Sequence, residues 1–209
     1  MQVKAMADIS SLLIAAAVIL GSYLLGCLAT GYYLVRWRTG QDLRVLGSGS
    51  TGGTNAGRVL GRWGLVFTGL VDILKGAVAV GAARYFGLDD WAVALAAAAV
   101  VAGHVFPFQL RFHGGRGLGT ALGALLLIDY PLVAVVLGLT GLLWLVSRRL
   151  TLSLMACVAS MPLFALGLGR PPAEVWGLIP IALIILAAHW QKITAEINAL
   201  RSRTDTPGN

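Results

Sequence analysis

A glycine-rich stretch in the first third of the chain carries the first residues that could do chemistry. It reads Gly-Ser-Gly-Ser-Thr-Gly-Gly-Thr-Asn over residues 47–55, and Arg58 and Arg62 follow it. Glycines let backbone N–H groups approach a ligand closely, and hydroxyl, amide and guanidinium groups add further donors. The stretch therefore predicts a phosphate-binding loop. On composition alone, a flexible connection between two helices remains the alternative.

A second basic, glycine-rich stretch lies further along the chain. Gly103 and His104 precede Phe-Pro-Phe, and Gly-Gly-Arg-Gly follows over residues 114–117. Small neighbours leave the guanidinium of Arg116 accessible, and backbone N–H groups beside it can point at an anion. Two such loops on one side of a membrane would form one anion site.

Several familiar catalytic motifs are absent from the sequence. Residues 47–52 fit Gly-x-Gly-x-x-Gly, but no strand precedes them, and Gly53 stands where a P-loop requires lysine. There is no Gly-x-Ser-x-Gly elbow, no His-x4-Asp pair and no cluster of histidine and carboxylate residues. We therefore predict neither a cofactor nor a metal. Any acyl or phosphoryl transfer must depend on positioning and charge stabilisation.

Three isolated polar side chains interrupt apolar segments. Asp72 and Lys75 are three residues apart, a spacing that places both on one helix face. Charges at membrane depth usually pair, so a structural ion pair and direct substrate contact both remain open. His189 ends the last apolar run, where it could be an interfacial residue or a catalytic one.

The composition is that of an integral membrane protein. Of 209 residues, 57% are hydrophobic and 12% are charged, and the mean hydropathy is +0.81. So few charges cannot cover a water-soluble surface. The formal charge of +7 reflects basic loops at a membrane rather than nucleic-acid binding, because no basic soluble domain is present.

A helix needs about 20 residues to cross a bilayer, and seven apolar runs have that length or nearly so. They lie near residues 9–36, 62–86, 91–107, 117–129, 131–147, 152–168 and 174–190. The fourth run is short, so six spans with one re-entrant segment is the competing count. We predict one membrane domain over residues 1–195 and a polar, disordered tail over residues 196–209.

The distribution of positive charge predicts the orientation. Most of the 16 Lys and Arg residues fall in alternate connections on one side, together with both glycine-rich loops. The positive-inside rule then places the N-terminus outside and the C-terminus and both loops in the cytoplasm. The run Leu-Leu-Gly-Cys at residues 24–27 resembles a lipoprotein cleavage box, but the apolar segment continues past it, so we expect a retained first span.

Taken together, these motifs resemble the bacterial membrane glycerol-3-phosphate acyltransferases that use acyl phosphate, the PlsY family. The likeness covers nearly the whole chain and rests on four stretches in this order and spacing. They are Gly47-Ser48-Gly49 with Thr54-Asn55 and Arg58, Asp72-x-x-Lys75-Gly76, Gly103-His104-x-Phe106-Pro107, and Phe112-x-Gly114-Gly115-Arg116-Gly117-x-x-Thr120.

The resemblance implies seven helices in a bacterial inner membrane. It also implies transfer of a fatty acyl group from acyl phosphate to the 1-hydroxyl of glycerol 3-phosphate, giving lysophosphatidic acid, without cofactor or metal. The catalytic residues would be Ser48, Arg58, Arg116 and His189. The substrate-binding residues would be Gly47, Gly49, Thr54, Asn55, Arg62, Lys75, His104, Gly114, Gly115, Gly117 and Lys192.

The chain departs from the family pattern after the last histidine. Gln191 and Lys192 stand where the family usually has glutamate and asparagine. An ammonium donates hydrogen bonds to a phosphate but accepts none. An acyltransferase with another phosphorylated acceptor therefore remains an alternative, and so does a membrane carrier for a phosphorylated metabolite.

Overall fold

The computed structural model describes residues 2–204, and all regular structure within that range is helical. Two 3-10 turns, Leu43–Val45 and Phe108–Leu110, lie in the connections. The α-helices in chain order are α1 (Gln2–Gly26), α2 (Thr30–Thr39), α3 (Gly53–Tyr85), α4 (Asp90–Val105), α5 (Leu118–Ile128), α6 (Tyr130–Ser147), α7 (Leu150–Gly167) and α8 (Pro172–Thr204).

The predicted all-α membrane fold is confirmed. Within residues 2–204, six helical segments are long and apolar enough to cross a membrane, with α1 and α2 together forming the first. The seventh segment is α5, which has only 11 residues. At about 1.5 Å per residue it is shorter than a bilayer core, as its short apolar run predicted.

Residues 9–36 were predicted to form a single membrane span, but they do not form one continuous helix. The chain breaks between α1 and α2 at Cys27, Leu28 and Ala29. At the break, the carbonyl groups of Gly26 and Leu28 accept hydrogen bonds from Lys75, at 3.2 and 3.1 Å, and that of Leu28 also accepts from the Thr30 N–H at 3.0 Å. Hydropathy shows a long apolar run but cannot show this break, because the ammonium that binds its carbonyl groups, that of Lys75, comes from α3.

Contacts between connections divide the bundle into two ends. At one end, the N–H of Thr51 donates to the carbonyl of Gly114 and thereby joins the two glycine-rich loops. At the other end, Arg170 binds the carboxylate of Asp129 at 2.6 and 2.8 Å. Helix α5 runs from the first end to the second, as in the seven-segment interpretation. Which end faces the cytoplasm stays a prediction.

Close backbone packing holds the helices around the site. A Cβ on Gly26 or Gly103 would overlap with the facing helix of the α1–α4 pair, and Gly76 and Gly123 play the same role between α3 and α5. Small residues allow this approach, which is the usual way in which membrane helices gain packing energy. These contacts fix α3, α4 and α5, the helices that carry most of the polar residues described below.

The last helix extends beyond the predicted domain boundary. Helix α8 continues to Thr204, so residues 196–204 are helical, whereas a disordered tail was predicted over residues 196–209. Arg149 donates to the carbonyl of Glu196 at 3.4 Å, which ties this extension to the connection between α6 and α7. Residues 205–209 lie outside the described part of the chain.

Candidate functional site

The side chain of Asn55 organises the first glycine-rich loop. Its Nδ2 donates to the carbonyls of Leu43, Leu46 and Ser50 at 2.9–3.2 Å, and its Oδ1 accepts from the N–H of Ser48 at 3.0 Å. Three carbonyl acceptors fix which amide atom is nitrogen. The amide of Asn55 is therefore largely committed to the loop, and its role in substrate binding stays a prediction.

Gly47 gives the loop its shape. It has φ of 55°, a conformation that side-chain-bearing residues rarely adopt, and a Cβ there would overlap with Oδ1 of Asn55. Gly49 also has a positive φ, of 69°. Both glycines shape the loop, and neither is among the residues that line the cavity described below.

Helix α3 begins inside the predicted loop. It starts at Gly53, so Thr54 and Arg58 lie in its first turns rather than in a loop before a span at residue 62. Gly52 precedes the helix without a side-chain cap. The first N–H groups of an α-helix have no partner within the helix, and they give this end a partial positive charge. An uncapped N-terminus of this kind can hold a phosphate.

The second loop presents another uncapped helix N-terminus. Gly114 and Gly115 donate their N–H groups to the carbonyls of Val105 and His104 at 3.1 and 2.9 Å, which fold the loop back onto the end of α4. Helix α5 then starts at Leu118, preceded by Gly117 with no side-chain cap. Because Thr51 bonds to Gly114, the N-termini of α3 and α5 open onto the same space.

That space is a polar cavity of about 240 Å³. It is open to the surface and is lined by residues of both loops, both helix N-termini and α8. The lining residues are Ser48, Ser50, Gly52, Gly53, Thr54, Asn55, Arg58, Leu65, Gly69, Asp72, His104, Arg116, Gly117, Leu118, Gly119, His189 and Lys192. The structure therefore brings together most of the site residues predicted from the sequence.

Among the described residues, three cationic side chains line the cavity. Neither Arg58 nor Arg116 has a carboxylate partner within the described residues, and Arg58 makes only a 3.4 Å contact with Oδ1 of Asn55. Partial burial lowers the pKa of the Arg116 guanidinium, and the nearby positive charge of Arg58 lowers it further. With Lys192 also lining the cavity, the site carries positive charge that a bound anion would neutralise.

His189, which lines the cavity, carries an acceptor nitrogen. Its Nδ1 lies 2.8 Å from the carbonyl of Ile185, one turn earlier on α8. A carbonyl can only accept, so Nδ1 carries the proton and Nε2 of the neutral ring is left as an acceptor. The ring is 4% exposed, which restricts competing contacts with water.

Lys75 does not contact the cavity, although the sequence predicted a substrate-binding role for it. Its Nζ is enclosed by Asp72 at 2.9 Å, by Nδ1 of His104 at 2.7 Å and by the two carbonyls at the α1–α2 break. The side chain is 2% exposed. Lys75 thus forms an ion pair with Asp72, whereas Asp72 and His104 also line the cavity.

Arg62 is outside the cavity, contrary to its predicted role in phosphate binding. Gly61 interrupts the helical geometry of α3 with φ of 74° and ψ of −165°, and Arg62 just after it is exposed. Sequence reasoning could not detect this change of direction. Gly114 and Gly115 likewise shape the second loop without lining the cavity.

The sequence also missed some lining residues. For Asp72 the sequence left a structural ion pair and direct substrate contact both open, whereas Gly69 and Gly119 carried no chemical signal. Gly119 faces Asp72 closely, since a Cβ on it would lie 3.3 Å from the Cβ of Asp72. Small residues in an apolar helix are common, so only the packing of α3 against α5 reveals these two glycines.

Comparison with known proteins agrees with this architecture. The profile of the family described as glycerol-3-phosphate acyltransferase matches residues 16–199. Glycerol-3-phosphate acyltransferase 1 of Desulfitobacterium hafniense (strain Y51) is 42% identical over 186 residues, which are 88% of this chain and 92% of that protein. The chain belongs to the glycerol-3-phosphate acyltransferase family. The enzyme of Synechococcus sp. (strain CC9902) is 40% identical over 200 residues, covering 96% and 98% of the two chains.

Solved structures of this acyltransferase family share the fold. The crystal structure of PlsY (YgiH), an integral membrane glycerol 3-phosphate acyltransferase, in its glycerol 3-phosphate form is similar with a TM-score of 0.79 and 30% identity. Its lysophosphatidic acid form gives a TM-score of 0.76 and 27% identity. Both comparisons cover 88% of this chain and 92% of the other. The present chain is accordingly a multi-pass integral membrane protein of the glycerol-3-phosphate acyltransferase family.

Proposed function

We propose that this protein transfers a fatty acyl group from acyl phosphate to the 1-hydroxyl of glycerol 3-phosphate and releases inorganic phosphate and lysophosphatidic acid. The observation that carries the proposal is the convergence of two uncapped helix N-termini, those of α3 and α5, on one cavity with Arg58 and Arg116. Each N-terminus with its arginine suits one phosphate, so the pair suits two phosphorylated substrates.

An apolar cavity beside the polar one suits the acyl chain. It has a volume of about 210 Å³ and shares Leu118 and Gly119 with the polar cavity. Its remaining wall comes from apolar residues of α5, α6, α7 and α8, namely Ala121, Leu122, Leu125, Leu132, Val133, Val136, Leu137, Leu154, Val158, Met161 and Ile185. A fatty chain placed there would bring its acyl carbon towards the N-terminus of α5.

In this arrangement the reaction proceeds by positioning and charge stabilisation. The hydroxyl oxygen of glycerol 3-phosphate attacks the acyl carbonyl carbon, the bond from that carbon to the phosphate oxygen breaks, and phosphate leaves. Arg58, Arg116 and the helix N–H groups stabilise the negative charge that develops. Nε2 of His189 accepts the hydroxyl proton or orients the hydroxyl group. Acyl phosphate is already activated, so these steps require no cofactor.

The proposed location is the bacterial inner membrane, with the site on the cytoplasmic side. Phosphorylated metabolites are then accessible to the open polar cavity, and the acyl chain enters from the bilayer. The preference of basic loops for the cytoplasmic side supports this orientation.

Purified protein supplied with acyl phosphate and glycerol 3-phosphate tests the reaction. The expected products are lysophosphatidic acid, identified by mass spectrometry, and an equal amount of phosphate. Hydrolysis of acyl phosphate without acyl transfer to glycerol 3-phosphate would contradict the proposal. Uptake of glycerol 3-phosphate into liposomes without acyl donor would instead indicate a carrier.

Lys192 favours one second candidate, an acyltransferase with a different phosphorylated alcohol as acceptor. Lys192 lines the cavity on α8, one turn after His189. Its ammonium would add a donor for an anionic group of the acceptor. A panel of phosphorylated alcohols with one acyl-phosphate donor separates the two candidates, since glycerol 3-phosphate is expected to have the highest kcat/KM.

A further inference from the structure

The two buried histidines of the cavity differ in which ring nitrogen is engaged by the protein. His189 uses Nδ1 to contact the Ile185 carbonyl at 2.8 Å, whereas Nδ1 of His104 lies 2.7 Å from the ammonium of Lys75. A carbonyl oxygen accepts a hydrogen bond, but an ammonium can only donate one. With these partners, Nδ1 of His189 carries a proton, whereas Nδ1 of His104 beside an ammonium carries none.

Lys75 is surrounded by hydrogen-bond acceptors. Asp72 contacts its Nζ at 2.9 Å, and the carbonyls of Gly26 and Leu28 accept from it at 3.2 and 3.1 Å. A carboxylate and two carbonyl dipoles around one nitrogen stabilise an ammonium. In that state Lys75 donates to Nδ1 of His104, and the single proton of the neutral imidazole must be on Nε2.

A competing arrangement would have Nδ1 of His104 donate to Asp72. The Nδ1–Oδ1 distance for that contact is 3.5 Å, beyond the range of a good N–H···O hydrogen bond, while the contact with Lys75 is 2.7 Å. The distances favour Lys75 as the partner of Nδ1. Asp72 then acts on His104 through Lys75.

The Nε2 edge of His104 lies against the second loop. A Cβ on Gly115 would overlap with Nε2, so only glycine allows the imidazole this position beside Arg116. His104 also lines the polar cavity, although its side chain is only 4% exposed. An N–H group at this place lies beside Gly115, which directly precedes Arg116 and Gly117 at the start of α5.

We propose that the Asp72–Lys75 pair fixes His104 as the neutral Nε2–H tautomer, and that this N–H donates a hydrogen bond to a phosphate oxygen bound beside Arg116. In this assignment, which rests on the proposed function for its ligand, His104 contacts substrate, and Asp72 and Lys75 are positioning residues. The two histidines have complementary tasks, because His104 donates from Nε2 and His189 accepts at Nε2.

The tautomers can be measured directly by nitrogen-15 NMR of the histidine-labelled protein in detergent at neutral pH. The chain has three histidines, so His113→Gln and His189→Gln assign the signals without changing His104. We expect His104 with Nε2 protonated and Nδ1 unprotonated, and His189 with the opposite pattern. A His104 signal with protonated Nδ1, or with both nitrogens protonated, overturns the proposal.

Adding a non-hydrolysable acyl phosphonate tests the ligand contact. Binding is followed independently by phosphorus-31 NMR, and the Nε2 resonance of His104 is expected to move more than its Nδ1 resonance. An unchanged Nε2 resonance with bound phosphonate overturns the contact. Absence of phosphonate binding would contradict the proposed donor, while the tautomer measurement would still report on the Asp72–Lys75 pair.

Substitutions at His104 and Lys75 test whether His104 donates from Nε2 and whether Lys75 sets its tautomer. His104→Phe removes the N–H donor and should lower kcat by at least about 100-fold, the usual effect of losing such a donor. His104→Gln retains an N–H and should be at least about tenfold faster than His104→Phe. Lys75→Met should give a mixture of His104 tautomers in the NMR spectrum.

His113→Gln is the matched control, because His113 is exposed and contacts the Arg111 carbonyl outside the cavity. Its kcat is expected to stay at the wild-type value. Equal kcat values for His104→Phe and His104→Gln, or an unchanged tautomer in folded Lys75→Met, would overturn the proposal.

Discussion

The backbone N–H of Thr51 donates to the carbonyl of Gly114 at 3.2 Å, and this hydrogen bond joins two loops more than sixty positions apart in the chain. Through it, the N-terminus of α3 and the N-terminus of α5 share one polar cavity. The proposed chemistry depends on that juxtaposition, since neither loop alone provides two phosphate sites.

Gly114 should be intolerant of a side chain. A Cβ there would overlap with the His104 carbonyl and with Pro107, both of which are fixed by the fold of the second loop. We expect Gly114→Ala to lower the melting temperature in detergent and to reduce turnover. Gly138→Ala is the control, because a Cβ at that helix position meets nothing within 4 Å. A Gly114→Ala protein as active and stable as Gly138→Ala would refute the account of this loop.

Asn55 should not be replaceable by aspartate. Its Nδ2 faces three carbonyl oxygens, and aspartate would place a second acceptor there in a site that is 1% exposed. Each buried polar group left unsatisfied costs about 1–3 kcal/mol, so Asn55→Asp should destabilise the loop strongly. Thermal unfolding and turnover measure the effect. Wild-type values for both would show that the amide does not organise the loop.

The two cavity arginines should matter far more than Arg62. Arg58→Ala and Arg116→Ala each remove a cation from the cavity, and each should lower kcat/KM by about 100-fold or more. If those losses are about 100-fold, Arg62→Ala should lower kcat/KM by less than about 1.6-fold, since a surface charge outside the site contributes little. All three variants can be compared in one phosphate-release assay. Equal losses in Arg62→Ala and Arg116→Ala would contradict the assigned geometry.

The Asp129–Arg170 pair lies at the end of the bundle opposite the polar cavity, and it should make the stability of the protein depend on pH. Burial raises the pKa of the Asp129 carboxyl, but hydrogen bonds from Arg170 and from the Leu132 N–H outweigh burial and hold that pKa below its usual range. Because the folded pKa is below the unfolded value of about 3.9, the charged carboxylate stabilises the protein above that pH. This contribution is lost as the pH falls through the lower, folded pKa.

The comparison of wild type with Asp129→Asn tests this linkage. Asparagine can still accept from the Leu132 N–H, so the helix cap is retained while the charge is removed. The melting temperature of wild type should exceed that of the variant at pH 7, and the difference should shrink below about pH 4. A constant difference from pH 7 to pH 3 would exclude Asp129 as its source.

The sequence predicted the class of fold and most of the cavity because both depend on local patterns. Apolar runs revealed the helices, and the clustering of glycine with arginine revealed the two loops. The charge segregation also paired the loops on one side, which Thr51 and Gly114 confirm as one end of the bundle.

The remaining features depend on contacts between distant residues. The break after Gly26 is filled by Lys75 from α3, and the start of α3 at Gly53 is stabilised by a loop that Asn55 holds. The backbone change at Gly61 turns Arg62 away from the cavity. None of these has a signal in composition or spacing, since each arises only when the helices are packed.

The central claim is that each of the two helix N-termini binds one phosphate. A crystal structure with glycerol 3-phosphate and a non-hydrolysable acyl phosphonate bound together tests it most directly. We predict one phosphorus atom beside the first N–H groups of α3 with Arg58, and the other beside the first N–H groups of α5 with Arg116. Both phosphorus atoms at a single helix N-terminus, or either one bound outside the polar cavity, would contradict the account.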